Sequence, residues 1–198
     1  MLQLLLPTRC AVCDEVGPSP CSPCIAQLRP AQRFPVPSAL TSCVALFMYE
    51  GPVRRLITGL KYRNQRGALD RLAAALAIVA VNDVDAITWA PTSPERRRAR
   101  GFDQAELLAR AIARRLRRPC VRTLRRVAGL SQTGQPLAVR VCGPAFEPTR
   151  PAPPSLLLVD DVVTTGATLA AGARALRRAG ANEIHGAVVA HTPERGRG

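Results

Sequence analysis

Apolar residues recur along this chain in two rhythms, one alternating or continuous and one near the helical repeat, and the two take turns. Residues 38–50 (SALTSCVALFMYE) read as extended, with Val44, Leu46 and Met48 alternating with smaller residues. Gly51-Pro52 opens a helical pair whose second member carries Leu69, Leu72, Leu76 and Val79 as its buried stripe. A turn at 82–85 leads into a buried strand, 86–90 (AITWA). Residues 102–118 read as one long amphipathic helix. Leu108, Ile112 and Leu116 share a face, Arg110, Arg114 and Arg117 point to solvent, and Glu106 is spaced to pair with Arg110. Residues 119–121 are a short strand candidate. From 125 to 154 the pattern dissolves into Gly, Ser, Thr, Gln and Pro, which predicts a long mobile loop. Periodicity returns with an apolar run at 156–159, a helix over 168–178 with Leu169, Ala173 and Leu176 inward, a stop at Gly180, and a strand at 184–190. Strands alternating with helices predict an α/β fold, a parallel sheet with helices on both faces.

Length and composition narrow this. The 198 residues suit one domain plus a small appendage, and 47% hydrophobic content is enough to build a core. Prolines cluster at 18–37 and 144–154, so we divide the chain into a cysteine- and proline-rich head, 1–36, and a main domain, 37–198. The net charge is +14, and Lys61 is the only lysine. Such a surface attracts phosphates and nucleic acid, although coding bias toward arginine on solvated helix faces explains part of it. With aromatics at 4%, a base-stacking surface would be sparse. The apolar start (Leu2, Leu4, Leu5, Leu6) is too short for a secretory signal, and no run of about 18 apolar residues exists to span a membrane. A cytoplasmic setting, where thiols stay reduced, is expected.

That setting gives the head its meaning. Cys10-x2-Cys13 and Cys21-x2-Cys24 lie seven residues apart, with Gly17, Pro18 and Pro20 between them to permit a tight reversal. Four thiolates make a closed tetrahedral zinc site with no open position for water, so a structural Zn²⁺ is expected. Reactive or merely packing thiols are the alternative. Cys43, Cys120 and Cys142 have no partner at ligand spacing. Arg9, Arg29 and Arg33 nearby leave DNA contact by the head open.

The densest chemistry lies at 156–168 (LLLVDDVVTTGAT). A buried strand delivers Asp160 and Asp161 to its carboxyl end, where open α/β sheets bind ligands. Carboxylates there can accept from vicinal ribose hydroxyls. The turn Thr164-Thr165-Gly166-Ala167-Thr168 then opens a helix whose first N–H groups face an anion. Gly166 allows close backbone approach, and the threonines add hydroxyl donors. Acids for a sugar beside amides for a phosphate describe a ribose 5-phosphate pocket. An N-capped helix with acids near its start would explain one acid and one threonine, not the array.

This segment resembles the phosphoribosyl pyrophosphate (PRPP) signature of type I phosphoribosyltransferases. Four further features lie in family order: the cysteine head, Leu60-Lys61-Tyr62, residues 98–105 (RARGFDQA), and Gln132 with Gln135. With these the chain is similar to the ComF family over residues 10–190. The resemblance implies a Rossmann-like type I phosphoribosyltransferase fold, PRPP and Mg²⁺ as ligands, and a role in DNA uptake or use of DNA as a nutrient. It brings a helicase-like ATPase as an expected partner. It gives Asp160 and Asp161 the ribose hydroxyls and Thr164, Thr165, Gly166, Ala167 and Thr168 the 5′-phosphate. The family has Arg-Gly-Phe-Asn-Gln where this chain has Asp103, so Asp103 receives no catalytic role; as a helix N-cap, Asp serves as well as Asn.

In the related fold pyrophosphate is received after the second strand. This makes Pro91, Thr92 and Ser93, with the following arginines, the leaving-group candidates. Arg98 and Arg100 fall on the family motif; Arg96 and Arg97 do not. A solvated basic turn is the alternative. Lys61 adds a compact phosphate-binding charge, or is a surface lysine beside a packing tyrosine. The 125–140 loop is a candidate lid with Ser131, Gln132, Thr133 and Gln135 for polar contacts. His185 and His191 read as structural, and no general base is identified. Two functions fit: transfer of 5-phosphoribosyl to a nitrogen acceptor with release of pyrophosphate, or a non-catalytic accessory that binds single-stranded DNA and uses the pocket only as a ligand site.

Overall fold

The computed structural model describes residues 7–62, 66–81, 83–127 and 144–192, with backbone alone at 61, 62 and 66. After a short α1 (Ser22–Ile25) the order is β1 (Ser42–Met48), α2 (Gly51–Tyr62), α3 (Arg66–Val79), β2 (Ala86–Trp89), α4 (Pro94–Arg100) and α5 (Gln104–Leu116). Then follow β3 (Leu124–Arg126), β4 (Phe146–Pro148), β5 (Ser155–Val163), α6 (Ala167–Arg178) and β6 (Glu183–His191). Four strands form one parallel sheet in the order β1-β6-β5-β2, while β3 and β4 make a separate antiparallel pair.

Both sheet faces are covered, as continuous apolar strands require. On one face Leu157, Val159 and Ile87 pack with Leu56, Leu72, Leu76, Leu108 and Ile112 of α2, α3 and α5. On the other, Leu156, Leu158 and Val188 meet Leu169, Ala173 and Leu176 of α6 and Leu124 and Phe146 of the β3–β4 pair. Gly172 lets that pair come close: a Cβ there would lie 3.2 Å from Leu158 and 3.4 Å from Leu124. The cysteine head belongs to the first core, through Cys10, Ala11, Val12, Cys24 and Leu28. Ala11 lies over Gly59 of α2, where a Cβ would sit 3.0 Å from its carbonyl oxygen. Residues 29–31 run antiparallel beside β1, with Met48 N donating to Arg29 O (3.0 Å) and Ala31 N to Leu46 O (2.9 Å). At the far edge Pro119 O and Val121 N bond to Ile87 of β2.

The structure departs from the periodicity in four places. Val79 is 48% exposed, because the buried face of α3 is Ala68, Leu72, Ala73 and Leu76. The arginine-rich stretch before α5 is a helix, α4, and not a turn; it buries nothing and is held by its ends. Ser93 Oγ accepts from Arg96 N (3.3 Å), Pro94 sits in the first turn, and Gly101 ends it in the left-handed region. α5 therefore starts at Gln104. The expected loop carries strands at both ends, because Leu124 and Phe146 bury themselves together under α6; residues 128–143, with Ser131, Gln132, Thr133, Gln135 and Cys142, lie outside the described residues. Residues 119–121 pair with β2 through a single bridge at Cys120.

Candidate functional site

Strand lengths create the site. Trp89 pairs with Val159, and Ala90 N still reaches Val159 O at 3.0 Å, but there β2 ends. β5 continues along β6, with Asp160 opposite Val188 and Val163 opposite His191. The two acids thus stand beyond the last residue of their neighbour, at the carboxyl edge of the sheet. A cavity of about 260 Å³ fills the step. It is lined by Tyr49, Ala90, Pro91, Thr92, Asp160, Asp161, Val162, Thr164 and Thr168, and by Arg96, Arg100, Asp103, Gln104, Ala105 and Arg126.

After the acids the chain turns through Thr164, Thr165 and Gly166 into α6. Gly166 is left-handed (φ 76°) and caps the helix, with Ala170 N donating to its carbonyl at 2.9 Å. Thr165 Oγ1 accepts from Ala167 N (3.4 Å), and Asp160 Oδ1 accepts from Asp161 N (2.8 Å). Glycine is required twice over at 166, by φ and by the wall of Pro37 behind it.

The opposite wall is cationic. Arg96 and Arg100 come from α4, and Arg126 reaches in from β3. Burial, followed by the nearby Arg96 guanidinium, lowers the Arg126 pKa from the ordinary arginine value, while Asp160 pulls it back. Like charges so crowded favour an anion between them. Asp103 anchors this wall to the sheet. Its Oδ1 accepts from Ala105 N (3.1 Å) and Glu106 N (3.4 Å), and its Oδ2 from Thr92 N (2.9 Å). Burial nevertheless raises its carboxyl above the usual aspartate range against those three donors.

Of the residues singled out in the sequence, the structure brings Asp160, Asp161, Thr164, Thr168, Pro91, Thr92 and Arg100 to one cavity. Ser93 caps α4, and Arg98 is turned to Glu95 at 3.8 Å, outside the lining. Thr165, Gly166 and Ala167 shape the turn without lining the cavity. Lys61 lies in the last turn of α2, with its side chain outside the description. Periodicity missed Tyr49, Gln104 and Arg126. Tyr49 directly follows β1, so the carboxyl-edge rule alone could have found it. Arg126 comes from an antiparallel pair with no local signal. His191 is buried away from the cavity and stacks on Phe34 with centroids 4.4 Å apart. His185 Nδ1 and Ser42 Oγ share a hydrogen bond (2.8 Å).

In the head the four Sγ atoms of Cys10, Cys13, Cys21 and Cys24 all lie within 4.8 Å of one another, an arrangement that could hold a metal ion. Cys13 and Cys21 Sγ are 3.7 Å apart, close to the ~3.8 Å edge of a tetrahedron with ligands at about 2.3 Å. Cys10 Sγ accepts from Val12 N and Cys21 N, both at 3.4 Å. Burial would raise this thiol, but backbone donors from Cys13, Cys21 and Val12 outweigh it and bring it to about 6. Cys24, buried and facing the other three thiols, is pushed up to about 12. Donors that favour one thiolate beside thiols that resist ionising suit a site completed by a cation.

Comparison with known proteins agrees with this architecture. Residues 103–197 match the phosphoribosyl transferase domain family, so the parallel sheet and its covering helices are a type I phosphoribosyltransferase fold with a four-cysteine head. The chain is also 29% identical over 199 aligned positions to DNA utilization protein YhgH of Salmonella typhi and of Salmonella typhimurium strain LT2, covering 89% of this chain and 82% of each relative. Among solved structures it is similar to the B. subtilis glutamine PRPP amidotransferase (24% identity, TM-score 0.44). That match covers 61% of this chain but only 25% of the amidotransferase. It is also similar to the purine phosphoribosyltransferase of Pyrococcus horikoshii (20% identity, TM-score 0.42, 64% of this chain and 74% of that one). Among the described residues no helix is long and apolar enough to cross a membrane.

Proposed function

We infer that this chain binds PRPP with Mg²⁺ and transfers its 5-phosphoribosyl group to a nitrogen acceptor, releasing pyrophosphate, in DNA uptake or DNA utilisation. One observation carries the reading: Asp160, Asp161, Thr164 and Thr168 share a cavity with three guanidiniums, Arg96, Arg100 and Arg126, of which Arg96 and Arg126 repel each other. In this reading the two carboxylates accept from the ribose 2′- and 3′-hydroxyls. The α6 N-terminus and its threonine hydroxyls take the 5′-phosphate. As the acceptor nitrogen bonds to the anomeric carbon and gives up its proton to water, the carbon–oxygen bond to pyrophosphate breaks and its electron pair leaves with the pyrophosphate. The guanidiniums then face growing negative charge, and the fixed Asp103–Thr92 contact keeps their wall in place. Mg²⁺, which takes oxygen ligands of the kind Asp160, Asp161 and the substrate phosphates offer, supplies further charge to the leaving group when bound. In the head we assign the four cysteines to a structural Zn²⁺, and reduced thiols fit a cytoplasmic setting. That the relatives are DNA utilization proteins supports the biological setting.

Titration calorimetry with PRPP and Mg²⁺ on the wild type and Asp161→Ala tests the pocket; equal affinity in both would sink the reading. Pyrophosphate release with candidate nitrogen acceptors tests turnover. A second reading, a nucleic-acid-binding accessory, is favoured by a different surface. At the far end of α5, Arg110, Arg114, Arg117 and Arg118 line a cavity of about 400 Å³. Binding to single-stranded DNA that weakens steeply with salt would support it. The helicase-like ATPase partner rests on the family resemblance.

A further inference from the structure

We propose that Gln104 is a pyrophosphate-binding residue, whose carboxamide is satisfied only when the leaving-group half of the ligand is present. The proposal rests on the PRPP reading of the cavity and adds a residue to which neither the sequence patterns nor the family resemblance gives a role. Gln104 is 5% exposed, lines the cavity, and its Oε1 is buried with no hydrogen-bond partner among the described residues. Buried polar side chains are nearly always paired, and leaving one unpaired is costly. A carboxamide with one end unpaired, on a residue that lines a polar cavity, therefore points to a ligand that completes that end once the amide is turned to suit it.

Its position selects the half of the ligand. Gln104 is the first residue of α5, and its neighbour Asp103 is bonded to Thr92 N, on the wall that carries Arg96 and Arg100. Asp103 already occupies the N–H groups of Ala105 and Glu106, so the helix start offers an anion little backbone there. What this corner offers is the Gln104 side chain. The two ends of a carboxamide exchange by rotation of the terminal torsion, so the group can turn its NH2 toward a phosphate oxygen. Its oxygen then accepts from a water carried in with the anion. The Thr164–Thr168 turn stands apart on α6 and serves the other phosphate.

Separate probes for the two halves test this. Calorimetry with magnesium pyrophosphate and with ribose 5-phosphate would be run on the wild type, Gln104→Leu and Gln104→Glu, with melting curves for each. Gln104→Leu should weaken pyrophosphate about tenfold, as loss of a hydrogen bond to a charged group does, and leave ribose 5-phosphate within about twofold. Gln104→Glu should weaken pyrophosphate further, by repulsion. Because leucine removes an unpaired polar group, its melting temperature should hold or rise while binding falls, which a purely structural role would not produce. The proposal is overturned if Gln104→Leu weakens both probes alike or neither, or if Gln104→Glu binds pyrophosphate as the wild type does. Wild-type protein that binds neither probe would remove the PRPP reading itself, and this proposal with it.

Discussion

Gly166 stands so close to Pro37 that a Cβ on the glycine would lie 2.9 Å from the proline Cγ. The proline belongs to the segment that joins the cysteine head to β1, and the glycine to the turn that opens α6. The N-terminal end of α6 is thus braced by chain more than a hundred residues away in sequence.

Gly166→Ala is expected to cost about 2–4 kcal/mol, combining the left-handed penalty with overpacking against Pro37. Urea denaturation measures the loss. If the brace matters to the site, PRPP affinity falls as well, under conditions where the variant is still folded.

Asp103 supplies two carboxylate oxygens to three backbone donors, and an asparagine would turn an NH2 group toward one of them. Asp103→Asn should cost about 1–3 kcal/mol and Asp103→Ala at least as much. The pH dependence has a definite sign. Burial raises the folded carboxyl above the unfolded value, so the folded state takes up a proton more readily. The stability advantage of wild type over Asp103→Asn should therefore grow as pH falls through the raised folded value, levelling off below the ordinary aspartate value. Paired denaturation curves across pH 7 to about 4 would show it; a constant difference would contradict the assignment.

Arg126 and Arg98 make opposite predictions. Arg126 lines the cavity, whereas Arg98 is turned toward Glu95. Arg126→Ala should weaken PRPP by about 10- to 100-fold, the range of a hydrogen bond to a charged group. Arg98→Ala should leave affinity within about twofold, as a surface pair contributes little. Calorimetry at one fixed salt concentration compares them, and the reverse order would move the leaving-group wall.

Metal removal should be felt beyond the head. Cys10, Ala11 and Cys24 share a core with Leu56 and Leu76 of α2 and α3, and Ala11 closes over Gly59. A strong chelator is expected to remove one zinc per chain and lower the melting temperature of the whole domain, and Cys24→Ser should abolish metal uptake. Elemental analysis and melting curves read both; a metal-free chain melting at the wild-type temperature would count against the site.

What was legible in the sequence follows the strength of local signals. The runs at 156–159 and 184–190 and the stripes of α5 and α6 announce themselves because each buries residues at its own period. α4 was invisible because it buries nothing, and only Ser93, Pro94 and Gly101 mark its ends. β3 and β4 escaped because each is three residues long and exists through pairing with the other. In the site, Asp160, Asp161 and the threonine turn could be read from one contiguous motif. Arg126 and the orphaned Gln104 could not, since their placement depends on how the hairpin and α5 fold back over the end of β2.

The segments along the two margins of the sheet have a consequence for company. Residues 29–31 occupy the open side of β1, and residues 119–121 occupy that of β2. Unpaired strand margins invite a neighbour to zip on through main-chain bonds, the route by which many sheets aggregate or capture extended peptides. Here both margins are taken by short stretches of the same chain, each anchored at or next to a proline, Pro30 on one side and Pro119 on the other. Proline has no N–H to continue a ladder outward. A visitor arriving at Leu46–Met48 or at Ile87 therefore meets another stretch of this chain before it meets the sheet.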